Sequence, residues 1–262
     1  MGYLNNQLGY RNDILANRSV VKKNNYALLE PDGLVKTSIP GFENCDITVL
    51  ATPHIGASFV DYLLHIQPNG KHAEGFGGDG VETFIYVISG ELSVNTTEGE
   101  EILKDGGFVF TPAEDKLYFE NKSGETVKAF LYKRRYRPVE GYSAHLVVGN
   151  AADLEYEDYE GMKEVQFTNF LPAVDNLGFD MNFHILSFQP GASHGYIETH
   201  LPEHGALITE GMGMYNLDNE WMPVKEGDYI FMSAYSLQGA YAVGSGPLTY
   251  IYSKDCNRDV EI

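Results

Sequence analysis

The chain has 262 residues, 43% of them hydrophobic, and a formal net charge of 18 − 37 = −19 spread without a long acidic block. That balance argues against nucleic acid or an anionic membrane as partner, and an anionic substrate would need locally placed cations. Two isolated cysteines, Cys45 and Cys256, are too few for a disulfide framework or a thiolate metal site, so a reducing, cytoplasmic setting is expected.

The opening Met1-Gly2-Tyr3-Leu4-Asn5-Asn6-Gln7 has no apolar core of signal-peptide length, and no apolar run approaches the roughly 18 residues of a membrane span. Gly2 would suit myristoylation, but Asn6 stands where Ser or Thr is wanted. Residues 1–40 read as an arm or as extra strands packed on a neighbour. Short β-type runs follow at 84–88, 108–110 and 129–132, separated by Gly, Pro, Asn and Asp. A polar, acidic connection spans 149–160, and further runs lie at 206–208 and 248–252. Long amphipathic helical patterns are absent.

The two halves repeat. Gly90 and Gly211 are 121 apart, as are Gly106 and Gly227, which open the similar stretches Gly106-Gly107-Phe108-Val109-Phe110 and Gly227-Asp228-Tyr229-Ile230-Phe231. Gln67-Pro68-Asn69-Gly70 answers Gln189-Pro190-Gly191, and Phe130-Leu131-Tyr132-Lys133-Arg134 answers Tyr250-Ile251-Tyr252-Ser253-Lys254. Even spacing of short strands with recurrent Gly and aromatic residues predicts an all-β protein of two tandem antiparallel jelly-roll barrels, residues 1–155 with the arm and residues 156–262.

The second half carries Glu198, His200 and His204, a Glu-x-His-x3-His spacing, and Gln238 follows 238 − 204 = 34 residues later. Two imidazoles, a carboxylate and a carboxamide make a mixed N/O set that suits a manganese, iron or zinc ion, and four protein ligands leave an octahedral ion two open positions. Glu203, Glu210 and Glu220 lie off this pattern and read as solvated. His194 lies near it with its role open, and His54, His65 and His72 read as surface or core histidines.

These motifs resemble the cupin superfamily, whose first motif is Gly-x5-His-x-His-x3,4-Glu-x6-Gly and whose second is Gly-x5-Pro-x-Gly-x2-His-x3-Asn. Glu198, His200, His204 and Gln238 take the four ligand slots, Gly211 and Gly227 the framing glycines, while Ser233, Tyr235 and Ala242 depart from the motif letters. In the first half Gly77, Asp79, Thr83 and Leu117 stand opposite the ligands at the same offset, even a slip to Glu82 supplies no imidazole, and that barrel is expected to be structural.

The quartet, the two-barrel layout, the ending from Tyr250 to Asp259 and the openings Gly2-Tyr3-Leu4-Asn5-Asn6 and Pro31-Asp32-Gly33-Leu34-Val35-Lys36 are similar to the ureidoglycine aminohydrolase family of bicupins. The resemblance implies a Mn²⁺-dependent release of ammonia from (S)-ureidoglycine to give (S)-ureidoglycolate in purine and allantoin degradation. It implies one Mn²⁺ in the C-terminal barrel on Glu198, His200, His204 and Gln238, and a double role for Glu198 as ligand and proton-transfer group; the alternative is a ligand only. Tyr215, Tyr250 and Lys254 match its substrate-contacting positions, with Lys254 the candidate partner of a substrate carboxylate. Arg134 and Arg135 occupy the first-half place of Lys254 and are expected to serve an ion pair or subunit contact. A small-molecule substrate and a homo-oligomer are expected. The alternatives are a cupin dioxygenase or decarboxylase and a non-catalytic binding bicupin.

Overall fold

The computed structural model describes residues 14–260, so the opening Met1 to Gln7, with its family likeness and the leader and acylation readings, lies outside the described residues. Turn-forming glycines and asparagines cut the chain into short extended segments. Two open it, β1 (Val20–Lys22) and β2 (Tyr26–Leu29). The first repeat follows as β3 (Glu43–Val49), β4 (Phe59–Phe76), β5 (Val81–Ser89), β6 (Leu92–Thr96), β7 (Gly99–Leu103), β8 (Gly107–Thr111), β9 (Leu117–Glu120), β10 (Val127–Arg135) and β11 (Val147–Asn150). The second comprises β12 (Glu157–Tyr159), β13 (Met162–Asn169), β14 (Met181–Phe188), β15 (His204–Glu210), β16 (Met212–Leu217), β17 (Glu220–Lys225), β18 (Tyr229–Met232), β19 (Gln238–Ala242) and β20 (Leu248–Asp255). Among the described residues the only helical pieces are three-residue 3-10 turns, and no helix is long and apolar enough to cross a membrane.

Antiparallel pairing builds both units, as the short, evenly spaced β-type runs predict. In the first, the order is β11-β8-β5-β10-β4-β9-β6-β7, with β3 also on β4. Strand β4 is long enough to serve both sides: residues 59–66 pair with β10 and residues 71–76 with β9, the latter pairing shifting register between His72 and Phe76. The second unit has an eight-stranded sheet, β1-β2-β18-β15-β20-β14-β13-β12, and a three-stranded sheet, β17-β16-β19. The repeat seen in the sequence is a repeat of pairings: β4 with β10, β5 with β10 and β8, and β6 with β7 and β9 recur as β14 with β20, β15 with β20 and β18, and β16 with β17 and β19.

Each unit has its own apolar core, and β2, β8, β14 and β18 are buried on both faces. The first core gathers Ile47, Tyr62, Leu64, Ile85, Val109 and Leu131; the second gathers Leu186, Phe188, Ile208, Tyr215, Ile230 and Tyr250. Each such side chain contributes roughly 1.5–3 kcal/mol by leaving water.

The compact units divide at Asp153/Leu154, but Asn17–Glu30 and Pro53–Ala57 join the second unit, whereas the sequence reading assigned all of residues 1–155 to the first barrel. The difference has a physical origin. All four residues of β2, Tyr26-Ala27-Leu28-Leu29, are buried, so both faces and an edge must be covered. Pairing with β18, from Tyr229↔Leu29 to Met232↔Tyr26, covers the edge. Arg18 then locks the segment: its guanidinium donates to both oxygens of Asp228 at 2.8 Å and to Glu30 Oε1 at 2.8 Å, both carboxylates being buried.

Candidate metal and substrate site

The site lies where β15, β19 and β20 of the second unit meet the irregular segment 189–203. Glu198 is held by two backbone hydrogen bonds to Gln238, Glu198 N to Gln238 O at 2.9 Å and Gln238 N to Glu198 O at 3.0 Å. That pairing sets the carboxylate beside the carboxamide although 40 residues separate them, 238 − 198. The loop before Gln238 is fixed from the N-terminal segment, since Ser233 N and Ser236 Oγ both donate to Asn25 O at 2.8 Å.

The two imidazoles are fixed in tautomer. His200 Nδ1 lies 3.0 Å from Pro202 O and His204 Nδ1 lies 2.7 Å from Ser253 O. A carbonyl only accepts, so each Nδ1 carries the proton and each Nε2 a lone pair. Those lone pairs face one another, with Nε2 to Nε2 at 3.2 Å and the rings at 89°. The carboxamide of Gln238 completes the cluster with Nε2 3.0 Å from His200 Nε2; turning the amide over places its oxygen there instead, an isosteric exchange.

The chemistry of this donor set fits a cation. A proton shared by the two Nε2 atoms would create a buried imidazolium, and burial already pushes both histidines down, His204 well below the usual range, with the Lys254 charge adding to the effect. A divalent ion accepts both lone pairs and an amide oxygen together. The backbone carbonyls that fix the two rings supply the outer partners that metal-binding histidines commonly have. Glu198 is brought to the same cavity, but among the described residues no three His, Cys, Asp or Glu side chains close into a ready-made metal cluster; the convergent trio is His200, His204 and Gln238.

Lys254, Tyr252 and Tyr250 alternate along β20 and line the cavity with Tyr215, whose ring meets that of Tyr250 at 5.8 Å. Burial raises the Glu198 carboxyl above its ordinary value, with Glu160 adding to the shift and Lys254 opposing it. Burial also drives the Tyr215 and Tyr250 hydroxyls up, so at neutral pH they are hydrogen-bonding groups and not anions. The cavity volume is about 10 Å³, the scale of one ion or water, so a substrate that reaches these groups must widen it.

Sequence reasoning left His194 open and missed Tyr159; both line the cavity. Burial pushes His194 down to about 4. Tyr159 sat in the stretch read as a polar connection, and only the turn into β12 and β13 brings it to the site. The carboxylates Glu203, Glu210 and Glu220 are outside the cavity lining.

In the first unit, register decides what stands at the corresponding places. Phe76 pairs with Leu117 as Glu198 pairs with Gln238, so the counterpart of the carboxylate is Phe76 and not Gly77. Phe76 and Leu117 belong to the core, and neither side chain has a donor atom. Lys133, not Arg134 or Arg135, shares the inward face with Ala129 and Leu131; its Nζ sits 5.1 Å from the Phe76 ring centre and 5.7 Å from that of Tyr62. Of the histidines read as surface or core, His72 packs edge-on to Phe42 at 4.6 Å, and burial takes His65 down to about 4.

Two antiparallel β units with a polar, histidine-bearing cavity inside one of them define a two-domain cupin. No family model matches the chain. It is 61% identical to the (S)-ureidoglycine aminohydrolase of Escherichia coli (strain K12) over 263 residues, 100% of both chains. The crystal structure of the protein Ylba from Escherichia coli superposes with a TM-score of 0.87 at 58% identity, covering 97% of this chain and 100% of that one. A cupin 2 conserved barrel domain protein from Leptotrichia buccalis shares the fold, with a TM-score of 0.61 at 13% identity over 90% of this chain and 99% of that one. The chain belongs to the (S)-ureidoglycine aminohydrolase family, which sets aside the dioxygenase, decarboxylase and pure binding readings.

Proposed function

We propose that the protein hydrolyses (S)-ureidoglycine to (S)-ureidoglycolate and ammonia, in purine and allantoin degradation, at a Mn²⁺ site formed by Glu198, His200, His204 and Gln238. The observation that carries the metal is the pair of fixed Nε2 lone pairs 3.2 Å apart in a buried cavity. A divalent ion held by these residues would supply Lewis acidity and help to orient the substrate.

The chain's own residues do the rest. Replacing an amine by a hydroxyl on one carbon requires that a proton be taken from the incoming water and one be given to the departing nitrogen. Glu198 serves both: burial raises its carboxyl, bringing it closer to the working pH of an acid-base group. Lys254 balances a substrate carboxylate, which a chain of charge −19 otherwise repels. The Tyr215 and Tyr250 hydroxyls, kept neutral by burial, orient polar groups of the substrate. Assembly into a homo-oligomer and a cytoplasmic setting belong to the same reading.

The test supplies freshly generated (S)-ureidoglycine to chelator-treated protein and follows ammonia as Mn²⁺ is restored. Ammonia release above spontaneous breakdown, dependent on the ion and lost in His200→Ala, is expected. Turnover that ignores both the chelator and His200→Ala would remove the metal site from the account.

A further inference from the structure

Three candidates stand outside the machinery described so far: an open groove in the first unit, the hydrogen-bonded set Tyr159, Tyr196 and Glu160, and His194. The groove is lined by Lys71 and Lys122 but also by Glu100 and Glu120, which cancel its charge. Tyr196 donates to Glu160 Oε2 at 2.6 Å and shares a hydrogen bond with Tyr159, yet among the described residues no hydrogen bond links that chain to an acceptor inside the cavity.

His194 carries the argument furthest. Its main chain is bridged to Ala240, His194 N donating to Ala240 O at 2.9 Å, and Ala240 N donates back to His194 Nδ1 at 2.8 Å. A backbone N–H only donates, so Nδ1 holds the lone pair and the neutral ring carries its proton on Nε2. This is the reverse of the tautomer in His200 and His204, and it makes His194 unsuited to ligate through Nε2. The ring cannot turn to another partner: Phe188 packs edge-on at 4.9 Å and 68°, and Tyr159 meets it at 6.0 Å and 79°. Among the described residues nothing accepts from Nε2, and the atom is not among those sealed from solvent. The residue is only 9% exposed and lines the metal-site cavity.

We infer that His194 is a substrate-contacting specificity residue whose Nε2–H donates to the ureido carbonyl oxygen of the substrate. This deepens the aminohydrolase reading and rests on it. The choice of group follows from chemistry. Of the substrate's three polar ends, the carboxylate has Lys254, and the amine is the leaving group to which Glu198 gives its proton. A neutral donor between Phe188 and Tyr159 suits the remaining neutral acceptor, and a site built to donate to that oxygen rejects analogues without it.

Calorimetry on the metal-loaded full chain tests this with two probes, N-carbamoylglycine, which keeps carboxylate and ureido group, and glycolate, which lacks the ureido group. His194→Phe is expected to weaken N-carbamoylglycine about tenfold and leave glycolate within about twofold, while His194→Gln, which restores an N–H donor, recovers part of the loss. Equal effects on both probes, or none on either, overturn the inference. Should His194→Phe fold poorly, histidine ¹⁵N spectra of the unaltered chain decide: His194 as the Nε2–H tautomer supports the assignment and Nδ1–H overturns it. Failure of the aminohydrolase reading is seen separately, as absence of ammonia from ureidoglycine in the unaltered protein.

Discussion

If the facing Nε2 atoms of His200 and His204 exist to share an ion, metal must stabilise the folded second unit, and by a calculable amount. At a free Mn²⁺ concentration one hundred times Kd the linkage is about 2.7 kcal/mol, and for a domain of this size each kcal/mol moves Tm by roughly 2–4 °C, so an upward shift of about 5–10 °C is expected. The informative perturbation is His204→Phe. The aromatic ring retains the edge-on packing against Tyr252, 5.1 Å away at 87°, so shape is nearly conserved. What is lost is the Nε2 lone pair and the Nδ1 donor to Ser253 O. The orphaned carbonyl costs about 1–3 kcal/mol without metal. Melting followed by circular dichroism, with chelator and with saturating Mn²⁺, yields four values. The unaltered chain should rise with the ion, whereas His204→Phe should start lower and stay there. A variant that keeps the full shift, or an unaltered chain that shows none, refutes the argument that these lone pairs meet a cation.

Glu198→Gln keeps an oxygen for the ion but removes the proton carrier, so ammonia release should fall by about 10²–10⁴ while the Mn²⁺-dependent melting shift remains; undiminished turnover would leave Glu198 a ligand only. His184, stacked on Phe167 at 4.9 Å, is held by burial at about 3. The unfolded chain therefore takes up a proton near pH 6.5 that the folded chain refuses, so this contribution is present above that pH and lost as pH falls from about 6.5 toward 3, at up to about 1.4 kcal/mol per pH unit. His184→Phe should flatten the stability profile by that slope in denaturant titrations, and an unchanged slope contradicts it. Gly211 has φ +76°, and a Cβ there would lie 1.8 Å from Pro247 O, whereas Gly227, at φ +88°, has open space around the same position. Gly211→Ala should cost about 3 kcal/mol or more and Gly227→Ala about 1–2, read from urea midpoints; equal costs would mean that the close approach to Pro247 relaxes freely.

The all-β class and the repeat were legible because Gly90, Gly106, Gly211 and Gly227 punctuate strands whose pairings recur. Within the site, convergence of His200, His204 and Gln238 followed from their spacing, while parity did not. A one-residue slip turns a strand's side chains to the opposite face, and that is why Lys133, and not Arg134, shares the inward face of β10. The role of His194 was hidden because its tautomer is set by Ala240, 46 positions away. The membership of residues 17–30 in the second unit was equally hidden. A buried run such as Tyr26–Leu29 declares that it needs covering but not by which sheet, and the Arg18 contacts to Asp228 span 210 positions.

The same frame yields one barrel bearing a donor cluster and one without, and the cause lies in the backbone as well as the side chains. From Glu198 to His204 the chain advances 204 − 198 = 6 residues; between the register-matched Phe76 and Thr83 it advances 83 − 76 = 7. The extra residue falls in Gly77-Gly78-Asp79-Gly80, all four at positive φ, from 53° to 83°. No residue from Glu198 to His204 has positive φ. The counterpart of His200 thus lies in a left-handed turn, where an imidazole is strained and its Cβ is aimed differently from that of His200. A graft of Phe76→Glu, Asp79→His, Thr83→His and Leu117→Gln would replace the side chains but not this turn, and it would bury a carboxylate beside the Tyr62 ring. Such a variant should still bind one equivalent of Mn²⁺ per chain, measured by metal analysis after dialysis. A second equivalent would show that side chains alone separate the two barrels.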